Sequence, residues 1–311
     1  MTYKLVVDFS PVYELISSFE LFAGRKFIRN TDLGNEWVTK VKKQLKPEFL
    51  NLIANPKELP CMEKPFILVW KSPCKHNIKE FLQWLSGLTP GDVYEILAPY
   101  VTEGLPNDLG EVKNKYVLLL TSWYEQYFSK IEDKVISTLE KDAKQKKLLE
   151  GTMNAVDLLE QASGGVRIDE LDGLDLIILT PATHYAPLTV WYEFNHLYIV
   201  KYSVDLPHED PNVPEKRFMR MTRALADDNR TRILKFLADG PKTFNEILEY
   251  SQLAKSTVHH HLMALRGSGL ISVYITDESA VGRYRIRQSS FSEFNQMLEE
   301  FLQIKINMSS N

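Results

Sequence analysis

The chain has 311 residues, of which 44% are hydrophobic and 25% are charged, and its net charge is −4. This length is about twice that of a typical domain, and the ordinary globular composition allows one or two cores and argues against a wholly disordered chain. No apolar run approaches the roughly 18 residues of a membrane helix, and the first residues do not form a signal peptide. We therefore expect two domains in a cytoplasmic protein.

The first part of the chain is predicted to begin with a strand, TYKLVVDF, followed by several helices. Ser10 and Pro11 form a good helix start, because a hydroxyl caps the first turn and proline suits the first helical position. That helix is predicted to end at Gly24. Further helical patterns occur in NEWVTKVKKQL, NIKEFLQWLSGL and TPGDVYEILAPY, and over a long stretch from about Val112 to Gln161.

Strand patterns follow after Ser163 to Gly165. The segment LDLIILTP reads as one strand, and LTVWYEF and LYIVKYSV are predicted to pair as a hairpin that turns at Asn195 and His196. The N-terminal domain is thus predicted to be mainly helical with a small antiparallel sheet. All five tryptophans fall in this domain; they could line a pocket for an apolar or aromatic ligand or simply pack in the core: Trp37, Trp70, Trp84, Trp123 and Trp191.

No catalytic or cofactor motif is found in this first part. It contains no GxSxG elbow, glycine-rich phosphate loop or HExxH pattern, and His184 and His196 lack a patterned nucleophile nearby. Cys61 and Cys74 have no CxxC spacing and cannot build a disulfide framework. We therefore predict a protein that is not an enzyme and that has no catalytic residues, cofactor or metal site.

The segment LPHEDPNVPEK contains three prolines, which exclude a regular helix or central strand, and we interpret it as a linker. The predicted organisation is an N-terminal domain of residues 1–206, a linker of residues 207–214, a second domain of residues 215–288 and a C-terminal helix and tail of residues 289–311. Residues 215–288 carry a net charge of +5 and the remainder −9. Such asymmetry indicates that the second domain meets an anion.

The second domain reads as a helix-turn-helix. The pattern MTRALADDNRTRILKFLADG predicts two helices, and Thr243 with Glu246 forms a capping box at the start of a third. A short connection leads to the helix STVHHHLMALRGSG, which ends at a glycine. At 100° per residue, Val258, Leu262 and Leu265 form its buried stripe.

The same helical geometry separates the three consecutive histidines. His261 lies at the edge of the buried stripe and is predicted to be packed and hydrogen-bonded, while His259 and His260 lie about 100° and about 200° from Val258. Three such rings cannot converge on one metal ion unless a second chain or distant residues complete the site. If DNA is the partner, the outward residues would enter its major groove: Ser256, Thr257, His259, His260 and Met263.

A hairpin with alternating arginines follows this helix. Arg283, Arg285 and Arg287 recur with a period of two, which places all three on one face of a strand. We interpret this face as a contact for phosphate groups, although a solvated strand face is the alternative.

These motifs resemble the ArsR-type winged helix-turn-helix of bacterial repressors, over roughly a quarter of the chain, through LADDNRTRILKFLADG, TFNEI, STVHHHLMALRGSGLI and the arginine-bearing hairpin. The resemblance implies a homodimeric regulator on an inverted-repeat operator in double-stranded DNA. By position it assigns recognition to Ser256, Thr257, His259 and His260 and wing contacts to Arg283 and Arg285. The full predicted DNA-binding set is Lys255, Ser256, Thr257, His259, His260, Met263, Arg266, Arg283, Arg285 and Arg287.

The family's best-known members sense metals through cysteines in the helix before the recognition helix, and TFNEILEYS contains none. Thiolate sensing there is not expected, whereas histidine and carboxylate sites at a dimer interface stay open. The last segment, SFSEFNQMLEEFLQIKI, is predicted to be an amphipathic helix that supports the dimer or packs on the N-terminal domain.

Two functions remain open from the sequence. The first is a transcriptional regulator of α+β fold, in which a C-terminal winged helix-turn-helix is joined to an N-terminal domain that senses a signal, such as a small-molecule effector, or supports dimerisation. The second is a winged-helix protein-interaction module attached to an enzymatic or scaffold domain.

Overall fold

The computed structural model describes residues 3–101, 104–207, 210–277 and 280–304. The first elements in chain order are β1 (Lys4–Val7), α1 (Pro11–Gly24), α2 (Gly34–Lys42), α3 (Pro47–Leu52), α4 (Lys64–Lys71), α5 (Ile78–Gly87), α6 (Pro90–Leu97), α7 (Leu109–Gln126), α8 (Glu132–Lys147) and α9 (Ala155–Ser163). They are followed by β2 (Val166–Arg167), β3 (Leu176–Ala182), β4 (Val190–Phe194), β5 (Leu197–Ser203), α10 (Lys216–Leu225), α11 (Asp228–Leu237), α12 (Phe244–Ser251), α13 (Lys255–Gly267), β6 (Ile271–Asp277), β7 (Ala280–Ile286) and α14 (Ser290–Leu302).

The chain forms two compact units. One comprises the residues up to Ala155 together with Asp172–Val204, and the other comprises Val156–Leu171 together with the residues from Asp205 onward. The segment Val156–Leu171 thus belongs to the C-terminal unit, an arrangement that the predicted boundaries do not include. Residues 208–209 of the predicted linker, residues 278–279 of the wing hairpin and residues 305–311 of the tail lie outside the described residues.

The α+β class predicted from the sequence is confirmed, but the sheet of the N-terminal unit is not the antiparallel sheet that we expected. Its strand order is β1-β3-β5-β4, and β1 and β5 both pair parallel to β3. Only the predicted hairpin of β4 and β5 is antiparallel, turning at Asn195 and His196. The parallel pairs join strands that are far apart in the chain and connected by helices, so no local turn signal reveals them.

Helix α1 lies in the core of the N-terminal unit. Its start follows the predicted cap, because the Ser10 Oγ accepts a hydrogen bond from the Val12 N–H at 3.1 Å and Pro11 occupies the first helical position. The helix ends at Gly24, after which Arg25 takes a left-handed conformation with φ of 53°. Nearly every residue of α1 is buried, which is typical of a helix covered on all sides.

The long helical stretch predicted from about Val112 is divided into α7, α8 and α9 by breaks near Phe128 and before Ala155. Trp123 of α7 is fully buried and packs against Phe22, with ring centroids 4.9 Å apart. Its indole N–H donates to the Ser18 Oγ at 3.0 Å. For Trp123, the structure therefore agrees with core packing rather than with a ligand pocket.

The C-terminal unit contains helices α10 to α14 and a three-stranded sheet of order β2-β6-β7. The predicted capping box is present at the start of α12, where the Thr243 Oγ1 accepts from the Glu246 N–H and the Glu246 carboxylate accepts from the Thr243 N–H. Gln252, with φ of 55°, ends α12 and allows the tight connection to α13. Across the described residues, no helix has the length and apolar character that crossing a membrane would need.

Candidate nucleic-acid interface

Helix α13 is held by the stripe that the sequence predicted. Val258, Leu262 and Leu265 are at most 1% exposed, and they face the core formed with α10, α11 and α12. Because these three residues fix the rotation of the helix, the opposite side of α13 is turned outward.

The outward side of α13 carries most of the predicted recognition residues. Lys255, Ser256, His259 and His260 are exposed, whereas Thr257 is half-buried. Polar and basic side chains at the start of a recognition helix can form hydrogen bonds with base edges and phosphates. The exposed histidines and serine are therefore free to meet a groove.

Met263 and Arg266 lie one turn apart on α13 and are both half-buried. The Arg266 Nη1 is 3.8 Å from the Met263 Sδ. Burial lowers the pKa of the Arg266 guanidinium from its ordinary value, an effect that the nearby Tyr284 partly opposes. Compared with the residues at the start of α13, this pair is therefore more recessed.

His261 does not have the hydrogen bond that the sequence led us to expect. Its ring is packed and only 6% exposed, and neither ring nitrogen has a hydrogen-bond partner among the described residues. The nearest acid is Asp227, whose Oδ1 lies 3.8 Å from the His261 Nδ1. Burial lowers the pKa of His261, the charge of Asp227 opposes this shift, and Arg230 and His260 add to it.

The three histidines do not form a common site. The ring centroids of His260 and His261 are 6.2 Å apart, and one ring is exposed while the other is buried. Within the described ranges, no three histidine, cysteine, aspartate or glutamate side chains are grouped so that they could hold a metal ion.

The wing is the hairpin of β6 and β7, and it carries two of the predicted arginines. Arg283 lies opposite Tyr274 and is exposed, and Arg285 lies opposite Ser272 and is half-buried. The Arg285 Nη1 donates to the Tyr274 hydroxyl at 3.1 Å. Tyr284, between the two arginines, is buried, so the predicted alternation of faces is present in this part of the strand.

Arg287 differs from the other two wing arginines. The sequence predicts that it lies on an open phosphate-binding face, and the structure contradicts this prediction. It is 3% exposed, its Nε donates to the Gly269 carbonyl at 2.8 Å, and its Nη1 donates to Glu293 Oε1 at 2.8 Å. The strand ends at Ile286, so strand alternation no longer sets the direction of this side chain. Arg287 is instead an internal anchor between the wing and α14.

The sequence analysis missed a residue that lies beside the wing. Arg167 of β2 lies opposite Tyr274 of β6, which in turn lies opposite Arg283 of β7, so the three side chains share one face of the sheet. Strand β2 has only two residues and pairs with a strand more than one hundred positions away. A run this short gives no periodic signal, and only its arginine and the two glycines before it stand out in the sequence.

Comparisons with known proteins identify the same region. Residues 227–273 match the family described as "Bacterial regulatory protein, arsR family". Over 75 residues the chain is 40% identical to the HTH-type transcriptional regulator CmtR of Mycobacterium bovis and to those of two Mycobacterium tuberculosis strains. The shared stretch is 24% of this chain and 62% of each regulator's length, so the chain spans less than two thirds of these relatives. No solved structure matches the chain. Residues 227–273 are therefore a helix-turn-helix of the ArsR family.

Proposed function

We propose that the protein is a sequence-specific DNA-binding transcriptional regulator that acts as a dimeric repressor on an inverted-repeat operator. The observation that carries the proposal is the exposed start of α13, with Lys255, Ser256, His259 and His260, inside an ArsR-family helix-turn-helix. The similar CmtR proteins are named as HTH-type transcriptional regulators, which supports the same role here. Because the matching family is described as bacterial and bacterial DNA lies in the cytoplasm, the proposal implies a cytoplasmic protein of bacterial type.

In this proposal α13 enters the major groove and the wing contacts the phosphates beside it. His259 and His260 would read base edges, and Arg283 and Arg285 would contact the backbone without reading sequence. Arg287 is left out of the contact set because its guanidinium is engaged by Gly269 and Glu293.

A homodimer is supported by the apolar face of α14. Phe294 stacks on Phe218 of α10 with ring centroids 5.3 Å apart, which fixes one side of the helix. Phe301 also packs on Phe218, with ring centroids 6.2 Å apart, yet it is 37% exposed. Leu302 at the end of the helix and Ile304 just after it are 48% and 50% exposed. Neighbouring exposed apolar side chains at the end of an amphipathic helix favour burial against a second copy of the same helix.

The N-terminal unit is proposed to sense a signal, such as a small-molecule effector, or to support the dimer, rather than to catalyse a reaction. The N-terminal unit contains a pair of residue types that often take part in acid–base catalysis, Glu14 and His184. The His184 Nδ1 lies 2.6 Å from Glu14 Oε1. The other ring nitrogen lies 2.9 Å from the Tyr127 hydroxyl. Glu14 is fully buried and His184 is 4% exposed, so this pair lies inside the core.

The pKa of the buried Glu14 carboxyl lies below its ordinary value. Burial by itself would raise the pKa of Glu14, but the charge of His184, together with hydrogen bonds from His184 and Thr183, brings the pKa below its ordinary value. A buried carboxylate that keeps its charge in this way orders the surrounding core, which suits a rigid sensing or dimerisation domain.

Selection of bound duplexes from a random DNA pool by the purified full-length protein tests the proposal. We expect enrichment of an inverted repeat with half-sites about one helical turn apart. The His260→Ala variant is expected to change the preferred bases, whereas wild-type preference in this variant would remove His260 from the recognition set. If folded wild-type protein enriches no sequence at low salt, the regulator proposal is wrong and the winged helix is better explained as a protein-interaction module.

A further inference from the structure

The segment Val156–Leu171, which we call the acidic segment, is docked on the wing. Its strand β2 pairs parallel with β6, so that Val166 lies opposite Val273. The Val273 N–H donates to the Gly165 carbonyl at 2.7 Å, and the Ser272 hydroxyl donates to the Glu160 carboxylate. A strand from an earlier part of the chain thus covers the edge of β6 and becomes the third strand of the wing sheet.

The docking depends on a glycine at the point of closest approach. Gly165 has φ of +129°, a conformation that residues with side chains rarely adopt. A Cβ atom at this position would lie 2.6 Å from the Ile271 carbonyl oxygen, which belongs to the backbone and cannot move aside easily. The two backbones can therefore meet in this way only with glycine at residue 165.

The acidic segment brings excess negative charge to the wing. It contains Asp157, Glu160, Asp169 and Glu170 but only one basic residue, Arg167, which gives a net charge of −3. The Arg167 guanidinium is shared by three of these acids, at 3.3 Å from Asp157, 2.8 Å from Glu160 and 2.6 Å from Asp169. Asp157 and Asp169 keep side chains that are 50% and 54% exposed.

Two of these acids, Asp157 and Glu160, lie beside the wing arginine Arg285. Asp157 and Glu160 line the same groove as Tyr274 and Arg285, a groove of about 460 Å³. Arg285 is half-buried and donates to the Tyr274 hydroxyl, a neutral partner. A phosphate group that approached Arg285 would therefore come close to two carboxylates of the acidic segment as well.

We propose that the docked acidic segment is an autoinhibitory element that lowers the affinity of the wing for DNA. The inference rests on the proposed function, since it concerns how tightly the same wing holds phosphates. Carboxylates within a Debye length of about 8 to 10 Å repel phosphate groups at ordinary salt concentrations. The segment continues directly into the N-terminal unit at Ala155 and at Asp172, so a change in that unit can act on the docking through the chain at both ends.

The test compares DNA affinity of full-length variants on one duplex that the wild-type protein enriches, at low and at high ionic strength. The double variant Asp157→Asn with Asp169→Asn removes two negative charges and leaves the groups of the β2–β6 pairing and of the Ser272–Glu160 hydrogen bond unaltered. We expect it to bind about three- to tenfold more tightly at low salt, with the gain shrinking at high salt because screening weakens the repulsion. The control is Glu48→Gln with Glu95→Gln, two exposed acids of the N-terminal unit, which should leave the affinity unchanged.

A second variant separates docking from charge. Gly165→Val adds a side chain against the Ile271 carbonyl and should release β2 without changing the net charge. We expect tighter DNA binding here too, with circular dichroism used to check folding; if this variant does not fold, the double asparagine variant decides.

The outcomes distinguish the two proposals. If the wild-type protein binds DNA and the double asparagine variant binds it equally or more weakly, the autoinhibitory proposal is wrong but the proposed function stands. Wild-type protein that binds no DNA at low salt overturns the proposed function, and the inference falls with it.

Discussion

Arg287 and Glu293 form an ion pair that fixes the end of the wing to the start of α14. The Arg287 Nη1 donates to Glu293 Oε1 at 2.8 Å, its Nη2 donates to Glu293 Oε2, and Arg217 of α10 donates to the same carboxylate. The Glu293 side chain thus joins three elements of the C-terminal unit. Bidentate pairing of this kind adds geometric specificity to the charge interaction.

Arg287→Ala is expected to lower the free energy of unfolding by about 2 to 4 kcal/mol, because it leaves a partly buried carboxylate without its main partner. Urea unfolding of the full-length protein measures this change. The matched variant is Arg283→Ala, whose exposed side chain should affect stability by less than about 0.5 kcal/mol. Equal stability of the two variants would contradict the anchoring role of Arg287.

The same carboxylate predicts a loss of stability in acid. Burial alone would raise the pKa of Glu293, but hydrogen bonds from Arg287 and the charges of Arg217 and Arg287 bring it below the ordinary value. A lowered pKa in the folded state contributes stability above the unfolded pKa, and this contribution is lost as the pH falls through the folded pKa. Glu293→Gln should therefore lose less stability than the wild type does between pH 5 and pH 3, as followed by thermal unfolding, and parallel pH profiles would count against the pair.

Arg283→Ala and Arg285→Ala are expected to weaken binding to all duplexes alike. Each phosphate contact contributes about one unit to the slope of log affinity against log salt, so each variant should flatten that slope by about one. Fluorescence anisotropy at several salt concentrations gives the slope. Arg29→Ala, which removes an exposed arginine from the N-terminal unit, is the control, and a wing variant that behaves like it does not contact DNA.

Because His261 is buried, we expect the helix-turn-helix to lose stability below neutral pH. Burial holds its pKa below the ordinary value of 6.5, with Asp227 opposing that shift. The unfolded chain then takes up the proton at higher pH than the folded chain, so stability falls as the pH drops below about 6.5, by at most about 1.4 kcal/mol per pH unit.

His261→Leu should reduce this dependence between pH 7.5 and pH 5.5 in denaturant unfolding. His259→Leu, an exposed neighbour on the same helix, should keep the wild-type profile. An unchanged profile in His261→Leu would mean that protonation of this ring does not oppose folding.

The exposed end of α14 predicts where a dimer forms. Phe301→Glu and Leu302→Glu place a charge on the apolar face and should shift the protein towards monomer by at least about tenfold in dissociation constant. Sedimentation equilibrium measures the change. Ser292→Glu adds the same charge at an exposed position earlier in the helix and should leave association unaltered. A dimer that persists in both apolar-face variants must use another surface.

Much of the C-terminal unit was readable from the sequence because its signals are local. The buried stripe of Val258, Leu262 and Leu265 depends only on helical spacing, and the Thr243–Glu246 cap joins residues three positions apart. The same holds for the cap at Ser10 and the hairpin of β4 and β5. Spacing and capping involve atoms that stay close together whatever the rest of the chain does.

The tertiary structure decided what depends on residues far apart in the chain. The parallel pairing of β1 and β5 with β3, the docking of β2 on β6 and the burial of Arg287 against Glu293 and Gly269 all join groups that no short pattern relates. Arg285 and Arg287 look equivalent in the sequence, yet Arg285 is half-buried with the Tyr274 hydroxyl as its partner, whereas Arg287 is buried and paired with Glu293. The sequence determined the helix caps, the buried stripe of α13 and the β4–β5 hairpin, because their atoms are close together in the chain. The partner of each wing arginine depended on the neighbours that folding brings to it.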